Sequence, residues 1–152
     1  MERRDDGLKL SAKGKYSLLV IYHLGEHYGE VPIPLKDIAH PLAQGDYLEQ
    51  LIGTLRRAGL VTAVRGANGG YLLSREPSRI TLGDIIRAAE GPVSFAECVG
   101  DERACPKAGN CPTQPVWNYL TEQIDRMLDG MTLQDMMDNP RMTSMDRECE
   151  NA

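Results

Sequence analysis

Residues 45–74 read "GDYLEQLIGTLRRAGLVTAVRGANGGYLLS", and the fold turns on how this stretch divides. Its first half carries Tyr47, Leu48, Leu51, Ile52 and Leu55 at helical spacing, which predicts a helix with one buried stripe. Asp46 and Glu49 have the cap and N3 spacing of a capping box, and Gly59 is a suitable C-terminal stop. The second half changes period. Val61, Thr62 and Val64 favour extended structure, "NGG" at 68–70 offers the positive φ angles of a hairpin turn, and "YLL" returns as a second strand.

Upstream, "LKDIAHPL" (35–42) reads as a short helix stopped near Pro41, because the residue before a proline avoids helical angles. Short helix, tight connection, longer helix is a helix-turn-helix signal, and a hairpin directly after it is a wing. Further upstream, Ala12 to about Tyr28 is apolar on nearly all sides in its middle, as expected of a helix buried between other elements.

Downstream, "TLGDIIRAAEG" (81–91) predicts a helix with Thr81 as cap, Asp84 at N3 and Gly91 as stop. "TLQDMM" (132–137) is a similar helix start. Between them, "PVWNYLTEQIDRMLDGM" opens with a proline and places Trp117, Leu120, Ile124, Met127 and Met131 at steps of three and four, an a/d seam about two heptads long. A seam of this kind is buried on its own domain or on the same helix of a second chain, and we expect the second. The fold class is therefore mainly α with a small β-hairpin wing: a winged helix-turn-helix over 1–79, a loop and dimerisation-helix region over 80–138, and a disordered tail over 139–152.

Three of the four cysteines, Cys98, Cys105 and Cys111, fall in one Gly- and Pro-containing loop, with gaps of six and five residues. "MERRDDGLKL" lacks the apolar core of a secretory signal, and no run long enough to span a bilayer follows, so a cytoplasmic chain without membrane contact is expected. There, clustered thiols point to metal or redox chemistry rather than to bridges. Thiolates suit iron-sulfur clusters, zinc and copper(I), and a thiol switch without metal is a further alternative. Structural zinc pairs its ligands two to four apart, which these gaps fit poorly. Cys149 reads as an incidental thiol.

Charge is uneven. The chain is at −5 overall, with +2 on residues 1–75 and −7 on residues 76–152. If the helix between Asp46 and Gly59 is a recognition helix, its N-terminal residues Asp46, Tyr47, Glu49 and Gln50 meet base edges in double-stranded DNA. A carboxylate at Glu49 can accept from cytosine N4; the alternative is that it only closes the capping box. Arg65, at the wing, is a candidate for the minor groove, and Lys9, Lys13, Lys15 and Arg56 for phosphates, with ordinary surface charges as the alternative in each case. No nucleophile-base pair and no phosphate loop occurs, and "GANGG" (66–70) joins two strands, so the chain is not read as an enzyme.

Taken together, "LKLSAKGKYSLLVIYHL", "YLEQLIGTLRRAGLVTAVRGANGGYLLSR", "ITLGDIIRAAEG", the three cysteines and the Trp117 helix resemble the IscR/NsrR/CymR family of bacterial transcription regulators, also called the Rrf-two family, over roughly residues 8–137. The resemblance implies a winged-helix homodimer on a palindromic operator, with long C-terminal helices crossing at the interface and an arginine like Arg65 entering the minor groove. In its cluster-binding branch three loop cysteines hold an iron-sulfur cluster, which implies Cys98, Cys105 and Cys111 as ligands of a 2Fe-2S cluster in preference to a 4Fe-4S one. Where an IscR-type pattern has a histidine ligand this chain has Gln114, and where an NsrR-type pattern has a partner-chain aspartate it has Lys15. Glu97, His40, another partner group, a water or a small thiol are the alternatives for the fourth position. The expected function is a repressor controlled by that cluster, acting on cluster biogenesis or cysteine metabolism. The competing readings are a winged-helix protein-interaction module with structural zinc and a small redox carrier, the latter having no use for a wing or a seam helix.

Overall fold

A computed structural model describes residues 10–38, 45–96, 98–99, 103, 105–107 and 109–139. Helix α1 (Ala12–Glu26) is followed by the one-turn α2 (Leu35–Ile38), α3 (Gly45–Arg57), strands β1 (Val61–Val64) and β2 (Gly70–Leu73), and a 3-10 turn (Pro77–Arg79). Then come α4 (Leu82–Glu90), α5 (Gln114–Asp129) and α6 (Leu133–Asp138). The expected stop of α2 at Pro41 lies outside the described residues.

The core gathers Val20, Ile21 and Leu24 of α1, Leu48, Ile52 and Leu55 of α3, Leu60, Val61 and Leu73 of the wing, and Ile80, Ile85 and Leu133 beyond it. Helix α1 packs against α3, α4, α6 and β2, but one side stays open, with Leu19 at the surface, so it is not enclosed all round. The stripe on α3 falls as its spacing predicts: Leu48, Leu51, Ile52 and Leu55 are buried, while Tyr47 is exposed.

Two local expectations change. Gly45 has φ 53, a left-handed turn into α3 that glycine adopts without steric cost, so Asp46 is already inside the first turn and makes no capping box with Glu49. In the wing, which pairs antiparallel with Val61 opposite Leu73 and Val64 opposite Gly70, the positive φ angles belong to Gly66 and Gly70 and not to Asn68 or Gly69. Gly70 answers a second constraint. Tyr71 and Ile33 exchange backbone hydrogen bonds of 2.9 and 3.0 Å on the outer side of β2, and a Cβ on Gly70 would stand 2.8 Å from Pro34 N. Strand β2 is thus paired on both edges, by β1 and by Ile33, which holds the wing close to the segment that leads into α2.

The two similar helix starts become one device. Thr81 and Asp84 form a reciprocal capping box on α4, with bonds of 3.0 and 3.1 Å, and Thr132 and Asp135 form the same box on α6. Thr81 and Thr132 are bridged antiparallel, Leu82 N–H donating to Met131 O and Leu133 N–H to Ile80 O, both at 2.8 Å. Gly91 ends α4 at φ 82, as its sequence position suggests.

Candidate nucleic-acid interface and cysteine loop

The exposed face of α3 and the first turn of α1 enclose an open concavity lined by Lys13, Asp46, Tyr47, Glu49, Gln50, Gly53, Thr54 and Arg57. Asp46, Gln50, Gly53 and Arg57 follow one another at three- and four-residue steps, so they share one helix face opposite the buried stripe. Tyr16 of α1 meets Tyr47 edge-on, ring centroids 6.0 Å apart, which fixes the two helices against each other where the concavity opens. The sequence candidates Asp46, Tyr47, Glu49, Gln50 and Lys13 are therefore brought together.

Arg56 is exposed but lies off this face, and Lys15 is likewise exposed outside the concavity. Lys9 lies outside the described residues. Arg65 is exposed in the turn between β1 and β2. Sequence reasoning missed Arg57. Its guanidinium donates to Thr54 Oγ1 at 3.2 Å, and the Thr54 hydroxyl donates to Gln50 O at 3.0 Å, so the side chain is drawn back along the concavity. The i+4 step from Gly53, and the seven-residue step from Gln50, were the signals that single it out over Arg56.

The cysteine loop connects the end of α4 to the start of α5. Cys98, Cys105 and Cys111 are half-buried and none is in a disulfide. Cys111 stands three residues before Gln114, the first residue of α5, and two before its N-cap Thr113. The Thr113 hydroxyl, 3.1 Å from Sγ, holds the Cys111 thiol below its ordinary range, helped by the backbone N–H groups of Thr113 and Gln114 and by the charge of Lys107. Gln114 is occupied within the loop, its Oε1 accepting the Gly109 N–H at 2.8 Å.

Three soft, unbridged thiols, one with its thiolate favoured, are the donor chemistry an iron-sulfur cluster takes, so the residues fit the group in kind. Among the described residues no three His, Cys, Asp or Glu side chains are drawn to one point. Glu97 and His40, the alternative fourth ligands, lie outside the described residues.

Two contacts fasten α4, the helix that leads into the loop. Arg87 of α4 is paired with Asp125 at 3.1 Å and with Asp129, both on α5, and the Asp129 hydrogen bond raises its pKa. Glu90, the last residue of α4, reaches back to the N-terminus of α1, where its Oε1 accepts from Ser11 N–H (2.9 Å), the Ser11 hydroxyl and Gly14 N–H (3.1 Å). It supplies the cap that Ser11 does not give its own helix.

Helix α5 turns Thr121 inward, where it accepts from Phe95 N–H, and leaves Val116, Trp117, Tyr119 and Met127 exposed. The expected seam is corrected at one end: Met131 lies past the helix and packs on the core. Trp117 and Met127 stay on the outer side, with Leu120 and Ile124 half-buried. No helix among the described residues is long and apolar enough to cross a membrane.

Residues 10–139 match the family model of Rrf2, iron-dependent transcriptional regulator. The chain is 42% identical to the HTH-type transcriptional regulator CymR of Bacillus subtilis over 85% of its length and 89% of that protein. To IscR of Aliivibrio salmonicida it is 39% identical, over 93% of this chain and 84% of that one. The structure of B. subtilis CymR, described as the global cysteine regulator of that organism, superposes with a TM-score of 0.68 over 86% of this chain and 96% of that one, at 42% identity. T. potens IscR does so with a TM-score of 0.66 at 44% identity, over 87% and 88% of the two chains. A helix-turn-helix with its wing, matched along its whole described length to regulators, has one reading: the chain belongs to the Rrf2 family of DNA-binding transcriptional regulators.

Proposed function

We propose that two copies of this chain, joined along α5, place their α3 N-terminal turns about one DNA turn apart on a palindromic operator and act as a repressor. An iron-sulfur cluster on Cys98, Cys105 and Cys111 sets the affinity. The observation that carries the DNA-reading part is the concavity of α3, where polar side chains able to address bases (Glu49, Gln50) lie between two cations able to hold phosphates (Lys13, Arg57). Arg65 on the wing adds a guanidinium for the neighbouring minor groove. The exposed apolar face of α5 supports the pairing of two chains.

For the cysteine loop, the support is the thiolate-favouring site at the start of α5 together with the chemistry of three thiols. When bound, the group supplies iron open to attack by oxidants. The chain's own part is to present sulfur at Cys111, brace the loop through Gln114, and hold α4, which leads into the loop, through Glu90 to α1 and through Arg87 to α5. The operators controlled belong to cluster biogenesis or cysteine metabolism.

The test is selection of random duplex DNA by the anaerobically reconstituted and the apo chain. A palindromic site should emerge, bound with affinities that differ between the two forms by about 1–3 kcal/mol at matched salt. Visible absorbance should vanish on Cys98→Ala, Cys105→Ala or Cys111→Ala and survive Cys149→Ala. Failure to enrich any palindrome sinks the operator reading. Equal affinities of the two forms sink the control by a cluster.

A further inference from the structure

We propose that His23 and His27 form a chelating site for a divalent transition-metal ion, zinc being the type, at the C-terminal end of α1. The chain has three histidines, and two of them stand four residues apart at the end of one helix, which places both rings on one face. Their ring centroids are 5.1 Å apart. Two imidazoles sharing a tetrahedral zinc, each bonded through a ring nitrogen at about 2.0–2.1 Å, hold their centroids at about 5 Å, so the pair is already spaced for one ion.

The second observation is the carboxylate behind the pair. Glu30 Oε2 lies 2.9 Å from His27 Nδ1. In the tautomer whose Nδ1–H donates to Glu30, Nε2 is left to ligate, and a carboxylate on the far side of an imidazole orients the ring for a metal. Field and access agree with this. No lysine or arginine occurs between Lys15 and Lys36, whereas Glu26 and Glu30 do, and the C-terminus of a 15-residue helix carries the negative end of its dipole. The His27 side chain is 40% exposed, leaving a path for the ion. Among the described residues no third His, Cys, Asp or Glu joins the pair as a ligand set, so water completes an open coordination sphere. His23 is about 15 Å further along α1 than Lys13, which separates this site from the α3 concavity.

Titration calorimetry of zinc into the full chain carrying Cys98→Ser, Cys105→Ser, Cys111→Ser and Cys149→Ser removes the competing thiols. One ion per chain is expected. His23→Ala and His27→Ala should each abolish saturable binding, Glu30→Gln should weaken it about tenfold or more, and His40→Ala should leave it unchanged. Circular dichroism of each variant checks the fold. Absence of saturable binding in the cysteine-free chain, or undiminished binding in His23→Ala, overturns the proposal.

Discussion

Arg57 and Glu49 stand at opposite ends of one question, namely which side chains on α3 grip the duplex and which read it. Arg57→Ala removes a cation from the α3 concavity and should weaken binding nearly equally on all sequences, lowering the salt slope of the affinity by about 1. Glu49→Ala should instead relax preference at one base pair, by about 1–3 kcal/mol, and leave the melting temperature in place because no capping box depends on it. Electrophoretic mobility shifts across a salt series, with operator variants, separate the two; a change in site preference in Arg57→Ala would reverse the assignment. At Cys111 the linkage has a definite sign. Its pKa is depressed in the fold, so the thiolate form favours folding, and that contribution is present above the unfolded value and lost as pH falls through the folded one. Thr113→Val removes the leading cause, so alkylation of Cys111 in the apo chain should need a higher pH, as mass spectrometry of the labelled peptide reports.

Among the elements, α1 has the least usual start. Its cap comes from Glu90 at the far end of α4 and not from Ser11, and Gly14 leaves the room, since a Cβ there would stand 2.6 Å from Glu90 Oε1. Glycine inside a helix normally costs about 1 kcal/mol relative to alanine, so Gly14→Ala would stabilise an isolated α1. In this fold it should destabilise, and Glu90→Ala should cost about 1 kcal/mol as well, the scale of a lost N-cap. In the double variant the two losses should fall short of additive, because both break the same contact. Denaturant midpoints decide this, and a stabilised Gly14→Ala refutes the capping role. Helices α4 and α6 needed no such reach: Thr81 with Asp84, and Thr132 with Asp135, close their boxes within four residues, which is why both starts were readable from the sequence.

For the whole molecule, the proposed pairing of two chains runs along the outer face of α5. Leu120→Glu with Ile124→Glu should give monomers by light scattering and abolish operator binding, because two recognition helices lose their fixed spacing; a dimer that persists places the interface elsewhere. The order of helices and strands, the wing, most of the buried stripe on α3 and the Thr81 cap with Asp84 at N3 are legible in residue types alone. Each depends on neighbours within a few residues, where periodicity and turn chemistry act directly. Residue types also single out the three thiols and most of the side chains that line the α3 concavity. Tertiary structure alone decided that Glu90 caps α1 across 79 positions to Ser11, that Thr81 and Thr132 pair, and that Met131 turns to the core while Met127 stays outside. It also decided that Arg57, held by Thr54, lines the α3 concavity in place of Arg56. These choices join residues far apart in the chain or depend on the rotation of a helix about its axis, and a pattern of residue types sets neither until the core has packed.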